Sequence, residues 1–505
     1  MFQQLPMELE IGDRLSYGGE LCTIKFIGEI PAWPNEVALG VEWDNIQKGK
    51  HNGSFKGIKY FESELIRLCF LRYSILTIIA SNGLDTGSFL KKSKKHDGIR
   101  TFYQALVDTY GTSVESKEIK IGSKIVESYG FDKLQKLQSD FPYLKNISLS
   151  RKELIGTNEE EEELIKKHLV NLTQLDLSFN LISSWSELLK IVRNLSLEKL
   201  RLVGNIFTKD FCTDHTSSLK ILDLSFTKVS ISLLEVIPSH FPNLQQLHLS
   251  DNGLNTLDEW ISKLTSLNTL DISLNNFTRL PEILQQSKIN ALNISDNKIK
   301  ITEYDIKFPH IETLDIRRNE ISDFKELGLL NQIFPNLKNL RINGNPIFDD
   351  LSVDEMEVNI IARFENLEFV NGTEISKDER TNAELYFISK ANSGSEIDQS
   401  RVKSLAIKHK VHVTQSRRTD EDNIMSKLVK LRLNYQDKVV NLDTLKTIEV
   451  LKLKGTISRV FQISYAEMEL SYMISNNREP INKDLSLVSS YQFEDGQDIF
   501  IQKIT

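Results

Sequence analysis

Cysteine is scarce in this chain. Cys22, Cys69 and Cys212 are the only three in 505 residues. They are far apart and odd in number, which excludes a disulfide framework and a cysteine-rich metal site and fits a reducing compartment. An excess of positive charge is also lacking. The formal net charge of -8 argues against a general nucleic-acid binder, though it leaves room for a local basic patch. No apolar run reaches the roughly 20 residues that a spanning helix needs. The nearest, Leu65 to Ala80, is interrupted by Arg67 and Arg72 and reads as a buried strand or an insertion. Met1 to Glu10 shows no basic segment followed by an apolar one, and Gln502 to Thr505 carries no lipidation motif. No membrane partner is expected, and a cytoplasmic location is.

The motifs of catalysis are missing too. Gly49-Lys50 has neither the upstream glycine spacing nor the Ser/Thr of a phosphate-binding loop. There is no Gly-x-Gly-x-x-Gly, no His-Glu-x-x-His and no Cys-x-x-Cys, and the nine histidines are scattered without ligand spacing. The expectation is a chain with no enzymatic activity, no cofactor and no metal.

A repeat fills the middle. From about Leu144 to Asn345 the pattern Leu-x-x-Leu-x-Leu-x-x-Asn recurs, as at Leu172, Leu175, Leu177 and Asn180, or at Leu244, Leu247, Leu249 and Asn252. Nine copies at spacings of roughly 22 to 28 residues specify a leucine-rich repeat α/β solenoid, expected with its C-terminal cap over 141–390. In each copy Leu-x-Leu is a short strand with both leucines inward, and the Asn closes the turn by bonding backbone groups that the ladder leaves unpaired. One repeat cannot bury its apolar face alone, so neighbours stack. The copy at Leu219 has Thr227 in place of Asn. Outward strand positions, including Arg201, His248, Asp271, Asp315 and Arg341, form a mixed concave face suited to a protein partner. The acidic run Glu159 to Glu163 reads as a solvated insertion between early repeats.

The ends differ from the middle. Residues 426–505 alternate as strands around one helix and fit a small β-grasp module, resembling a ubiquitin-like domain. The chain does not finish in Gly-Gly, so such a module would dock and not be conjugated. A helical connector (96–140) and a polar, partly helical linker (391–425) join the parts. Residues 8–95 read as a small β-barrel punctuated by Gly12, Gly18-Gly19, Gly28 and Gly40. Within it, Gly49-Lys50-His51-Asn52-Gly53-Ser54 is a permissive turn among aromatics: Trp33 and Trp43 before it, Phe55, Tyr60 and Phe61 after it. Lysine beside an aromatic wall suits an acidic peptide.

Ile11-Gly12-Asp13-Arg14, Gly40-Val41-Glu42-Trp43-Asp44, the glycine loop and Tyr60-Phe61 together resemble a CAP-Gly domain. That family binds the acidic, aromatic-ended Glu-Glu-Tyr tail of α-tubulin. The resemblance implies that Lys50, His51 and Asn52 face the tail, that Gly49 and Gly53 shape the loop, and that Trp33, Trp43 and Phe55 line the groove. His51-Asn52 stands where the family has Asn-Asp. A further departure is a segment of about 64–80, ahead of Gly87-Ser88-Phe89-Leu90, which is either a lineage insertion or a retained intron.

CAP-Gly, leucine-rich repeats and a ubiquitin-like domain in this order resemble the tubulin-folding cofactor E family. The resemblance implies a chaperone that binds α-tubulin by tail and body and works with tubulin cofactors B, C and D in assembling and dissociating the αβ-tubulin heterodimer, in association with the cytoskeleton. The alternatives are an adaptor linking microtubules to the ubiquitin-proteasome system, with the proteasome as a partner, and a microtubule plus-end factor.

Overall fold

The computed structural model describes residues 9–62, 85–111, 119–121, 124–126, 141–208, 218–302, 306–392, 399–411, 428–474, 477–491 and 493–503. The expected extra segment, 64–80, lies outside them. The chain divides into two compact units, Met1–Ile375 and Ser376–Thr505.

The first unit opens with the small β-structure. Strands β1 (Arg14–Tyr17), β2 (Glu20–Gly28), β3 (Ala38–Trp43) and β6 (Gly87–Lys91) form an antiparallel sheet in the order β1-β2-β3-β6, and β4 (Ser54–Phe55) and β5 (Ile58–Lys59) form a hairpin. Strand alternation sends Leu15, Tyr17, Cys22, Ile24, Leu39, Val41 and Trp43 into one core. Burial pushes the Cys22 thiol up to about 12, with the Asp44 carboxylate adding to it, so this cysteine is an inert core residue.

Much of the expected helical connector lies outside the described residues. Among those described, it holds β7 (Arg100–Thr101), a helix (Phe102–Leu106) that continues as a π-helical turn over Val107–Gly111, and a hairpin of β8 (Ile119–Ile121) and β9 (Lys124–Val126). Thr101 and Gln104 make a reciprocal capping box at the start of the helix. Strand β7 pairs with β11 (Leu154–Gly156), which stitches the connector onto the first repeat.

Nine three-residue strands then run parallel: β10 (Asn146–Ser148), β12 (Gln174–Asp176), β13 (Lys199–Arg201), β14 (Ile221–Asp223), β15 (Gln246–His248), β16 (Thr269–Asp271), β17 (Ala291–Asn293), β18 (Thr313–Asp315) and β19 (Asn339–Arg341). Their register aligns each central Leu or Ile with the next. The asparagines act as the pattern requires. Asn205 donates from Nδ2 to the carbonyls of Leu177 (2.9 Å) and Leu202 (3.0 Å), while its Oδ1 accepts from the Asn180 N–H at 3.2 Å. Thr227 performs part of the task, its hydroxyl donating to the Leu224 carbonyl at 2.7 Å.

The run at Glu159 departs from expectation. It forms a helix, Glu159–His168, capped by Asn158, and Glu161 and Glu162 are buried. Glu161 accepts from the Thr101 hydroxyl at 2.5 Å and Glu162 pairs with Arg193, so two of the five carboxylates are ion-paired or hydrogen-bonded inside the fold.

Strands β20 (Phe369–Val370) and β21 (Thr373–Glu374) close the solenoid sheet with a hairpin. The expected cap through 390 is divided, because helix Lys377–Asn392 belongs to the second unit. There it packs on helix Gln399–His409, within the expected linker. The buried Glu384 carboxylate draws the two together, accepting from Lys408 at 2.8 Å and meeting His409 at 2.6 Å. The rest of this unit is a five-stranded sheet in the order β23 (Lys438–Leu445), β22 (Leu428–Tyr435), β26 (Gln497–Lys503), β24 (Met468–Ile474), β25 (Asn477–Pro480). Its two central strands are parallel, and helix Val450–Phe461 supplies Val450, Leu453 and Ile457 to its core. This is the β-grasp arrangement.

Candidate peptide-binding site

The glycine loop is held by backbone groups. The N–H groups of Lys50 and His51 both donate to the Gly87 carbonyl, at 2.7 and 3.2 Å, and the Gly87 N–H donates to the His51 carbonyl at 2.8 Å. The Gly53 carbonyl accepts from the Tyr60 N–H at 3.0 Å. These close approaches demand glycine. A Cβ on Gly49 would lie 1.7 Å from the Asp85 carbonyl oxygen, and one on Gly53 would lie 2.0 Å from that of Phe61. Gly53 also has φ +90°, a conformation that side chains disfavour.

The aromatic wall is organised around Phe89 on β6. The His51 ring stacks on it with centroids 4.7 Å apart. Tyr60, Phe61, Phe26 and Phe55 meet it edge-on at 5.4, 5.6, 6.3 and 6.3 Å. Phe26, Gly40 and Phe89 are cross-strand neighbours. Gly40 lacks the Cβ that would run into Phe61 at 2.5 Å, so the Phe61 ring lies where a side chain would have stood. Lys50 and Asn52 are exposed above this wall. His51 Nδ1 accepts the Gly53 N–H at 3.1 Å, which leaves the proton of the neutral ring on Nε2. Burial lowers the His51 pKa; Asp85 opposes this and Lys50 adds to it.

Of the expected tail-facing residues, the structure gathers Lys50, His51, Asn52 and Phe55 with Gly49 and Gly53. Trp43 is a correction: it lies in the barrel core, edge-on to Tyr17 at 6.1 Å, because strand alternation turns it away from Gly40. Trp33 sits in the turn after β2 with the Lys91 ammonium 5.6 Å over its ring. Sequence reasoning missed Phe89 and Phe26 as wall residues. The signal was Phe89 directly after Gly87-Ser88, but the pairing that brings it under His51 is long-range.

The concave face has a different character. Asp176, Arg201, Asp223, His248, Asp271, Asn293, Asp315 and Arg341 occupy one register row. Arg201 lies between Asp223 (3.4 Å) and Asp176 (3.9 Å), and His248 is 3.7 Å from Asp271. Asp271 also accepts from the Ser273 N–H and hydroxyl at 2.9 and 2.6 Å, and Asp315 pairs with Arg317 at 2.7 Å and is buried. Burial raises the Asp271 carboxyl, but the neighbouring His248 and the hydrogen bonds from Ser273 outweigh it and hold the group below its ordinary value. Arg201 and Arg341 are the exposed cations of the row.

Known proteins sharpen this description. A CAP-Gly domain family model matches residues 11–75, and a Leucine Rich Repeat model matches residues 243–264. Protein PAC2 of Saccharomyces cerevisiae is 33% identical over 76% of this chain and 74% of its own length. Tubulin-specific chaperone E of Xenopus laevis is 28% identical over 97% of this chain and 98% of its own length. The chain belongs to the tubulin-specific chaperone E family. The human member is 26% identical over 97% of this chain and 98% of its own length. In this member of the tubulin-specific chaperone E family, the CAP-Gly match covers the glycine loop and its hairpin, and the repeat match covers the copy that starts at Leu244.

Proposed function

We propose that this chain is a chaperone for α-tubulin that acts with tubulin cofactors B, C and D in assembling and dissociating the αβ-tubulin heterodimer. The observation that carries the reading is the glycine-held loop, which presents Lys50 and Asn52 over the ring cluster of His51, Phe89, Tyr60 and Phe55. Exposed ammonium and amide donors suit the carboxylates of an acidic tail, and the rings suit a terminal aromatic. The concave row supplies a second, polar contact for the folded body. Two weak contacts on one chain raise each other's effective concentration.

The outer face of the β-grasp sheet bears an Arg432–Asp498 pair at 2.6 Å, with Arg478 over Phe500 at 4.8 Å. Such a charge-paired face supports docking to polar partners. Mixing the chain with αβ-tubulin, with and without cofactor B, tests the proposal. Dimer dissociation with retention of the α-subunit is the expected result. Binding without dissociation favours the adaptor or plus-end reading. Removing the terminal aromatic of α-tubulin weakens capture, and unchanged affinity would refute the groove.

A further inference from the structure

The outer face of the barrel sheet carries two adjacent cross-strand rows. One is Phe26, Gly40 and Phe89, the floor of the groove. The next, two residues or about 7 Å along β3 and three along β2 across a bulge, is Arg14, Thr23 and Glu42. A charged row on the outer face of a small sheet belongs in water. Here Arg14, Thr23 and Glu42 are only 1%, 4% and 2% exposed, because the solenoid covers them.

The contacts are specific. Arg14 is held by Asp44 at 2.5 and 2.9 Å and by the Thr23 hydroxyl at 3.2 Å, and it donates to the Gly204 carbonyl of the third repeat at 3.3 Å. The Thr208 hydroxyl donates to the Gly12 carbonyl at 3.1 Å. Glu42 is shared by Lys25 of the barrel and Lys228 of the fourth repeat, each at 3.4 Å. The receiving site is shaped for this. The residue before the closing Asn or Thr has positive φ in repeat after repeat, as at Phe179, Phe226, Asp251, Leu274, Asp296 and Arg318. The third repeat places Gly204 there, and a Cβ on it would strike the Phe179 ring at 2.4 Å. Its bare backbone is what the Arg14 guanidinium reaches.

We propose that Arg14 and Glu42 are positioning residues that lock the barrel onto the third and fourth repeats, so that the groove and the solenoid hold the tail and body of one partner at a fixed separation. A buried, fully directional ion-pair set suits this task, since its benefit is geometric uniqueness more than stability. The functional half of the proposal rests on the tail-and-body reading above; the lock itself does not.

The test uses the full chain with Lys95→Cys and Lys263→Cys for spin labels, in a Cys69→Ser, Cys212→Ser background, with Cys22 buried and unlabelled. Wild type gives one narrow distance distribution. Lys228→Glu, which sets a carboxylate against Glu42, broadens it, and Lys228→Arg keeps it narrow. The affinity of Lys228→Glu for an acidic tail peptide stays within about twofold of wild type, while its affinity for αβ-tubulin falls about tenfold or more as the bivalent gain is lost. Arg14→Gln is the second variant and broadens the distribution likewise. A broad wild-type distribution, or a narrow one in both variants, overturns the lock. A broadened distribution with unchanged tubulin affinity overturns its positioning role. If wild type binds no tail peptide, the tail reading fails while the distance measurement still decides the lock.

Discussion

The groove loop and the concave face are both polar surfaces offered to a partner, yet they are built in opposite ways. On the concave face most charges are already satisfied: Asp176 and Asp223 flank Arg201, Ser273 bonds Asp271 with His248 3.7 Å from it, and Arg317 holds Asp315. In the loop the backbone is satisfied, and the Lys50 and Asn52 side chains are left exposed over stacked rings. The loop is thus pre-organised with free recognition chemistry, whereas a partner on the solenoid must compete with internal pairs. The loop should therefore supply selectivity for a short peptide and the solenoid a broad, weaker contact.

Four changes probe that contrast. The largest effect is expected from Gly49→Ala. Its Cβ would sit 1.7 Å from the Asp85 carbonyl, so the loop must move. Distortion of about 2 to 3 kcal/mol corresponds to on the order of a hundredfold loss of tail-peptide affinity by calorimetry. Next is Phe89→Ala, which removes the ring under His51. A half-buried aromatic is worth about 2 kcal/mol, so peptide affinity drops roughly tenfold or more, and the loop amides Lys50 and His51 lose protection from hydrogen exchange.

The third is pH. The folded pKa of His51 is depressed, so its neutral ring stabilises the loop above the ordinary histidine value. As pH falls below that value the unfolded loop takes the proton first, and the stabilisation is lost progressively down to the folded pKa. Protonation also ends acceptance of the Gly53 N–H by Nδ1. Exchange of the Gly53 amide, corrected for its intrinsic rate, should accelerate as pH falls below the ordinary histidine value of about 6.5, and His51→Phe should remove that dependence. The smallest effect is expected from Arg201→Ala on the solenoid. Exposed pairs contribute about 1 kcal/mol or less, so thermal stability barely moves and tail-peptide affinity does not change, while affinity for αβ-tubulin falls a few-fold at low salt. A large stability loss here would show that the concave row is structural in the main.

Much of this molecule is legible in one dimension. The strands of the solenoid follow the leucine spacing because a three-residue strand alternates strictly, and the Asn positions follow because each turn leaves backbone groups to satisfy. Gly49 and Gly53 are equally visible, although the carbonyls of Asp85 and Phe61 that require them are not. The errors have a common source. Trp43 looked like a groove aromatic because it precedes the loop, but the alternation of β3 sends it to the core with Val41 and Leu39. Glu161 and Glu162 looked solvated because they sit in an acidic run, but Thr101 and Arg193 reach them from elsewhere in the chain.

By itself the sequence determined the repeat and the glycine loop, since these depend on local spacing and backbone sterics. Only the tertiary structure decided which side of each barrel strand is covered, and by what. Phe89 became the floor of the groove through pairing with Gly40, and Arg14, Thr23 and Glu42 became a buried joint through the approach of Gly204 and Lys228. Alternation specifies a face, but the neighbour that meets it comes from distant chain, and burial is a property of the pair.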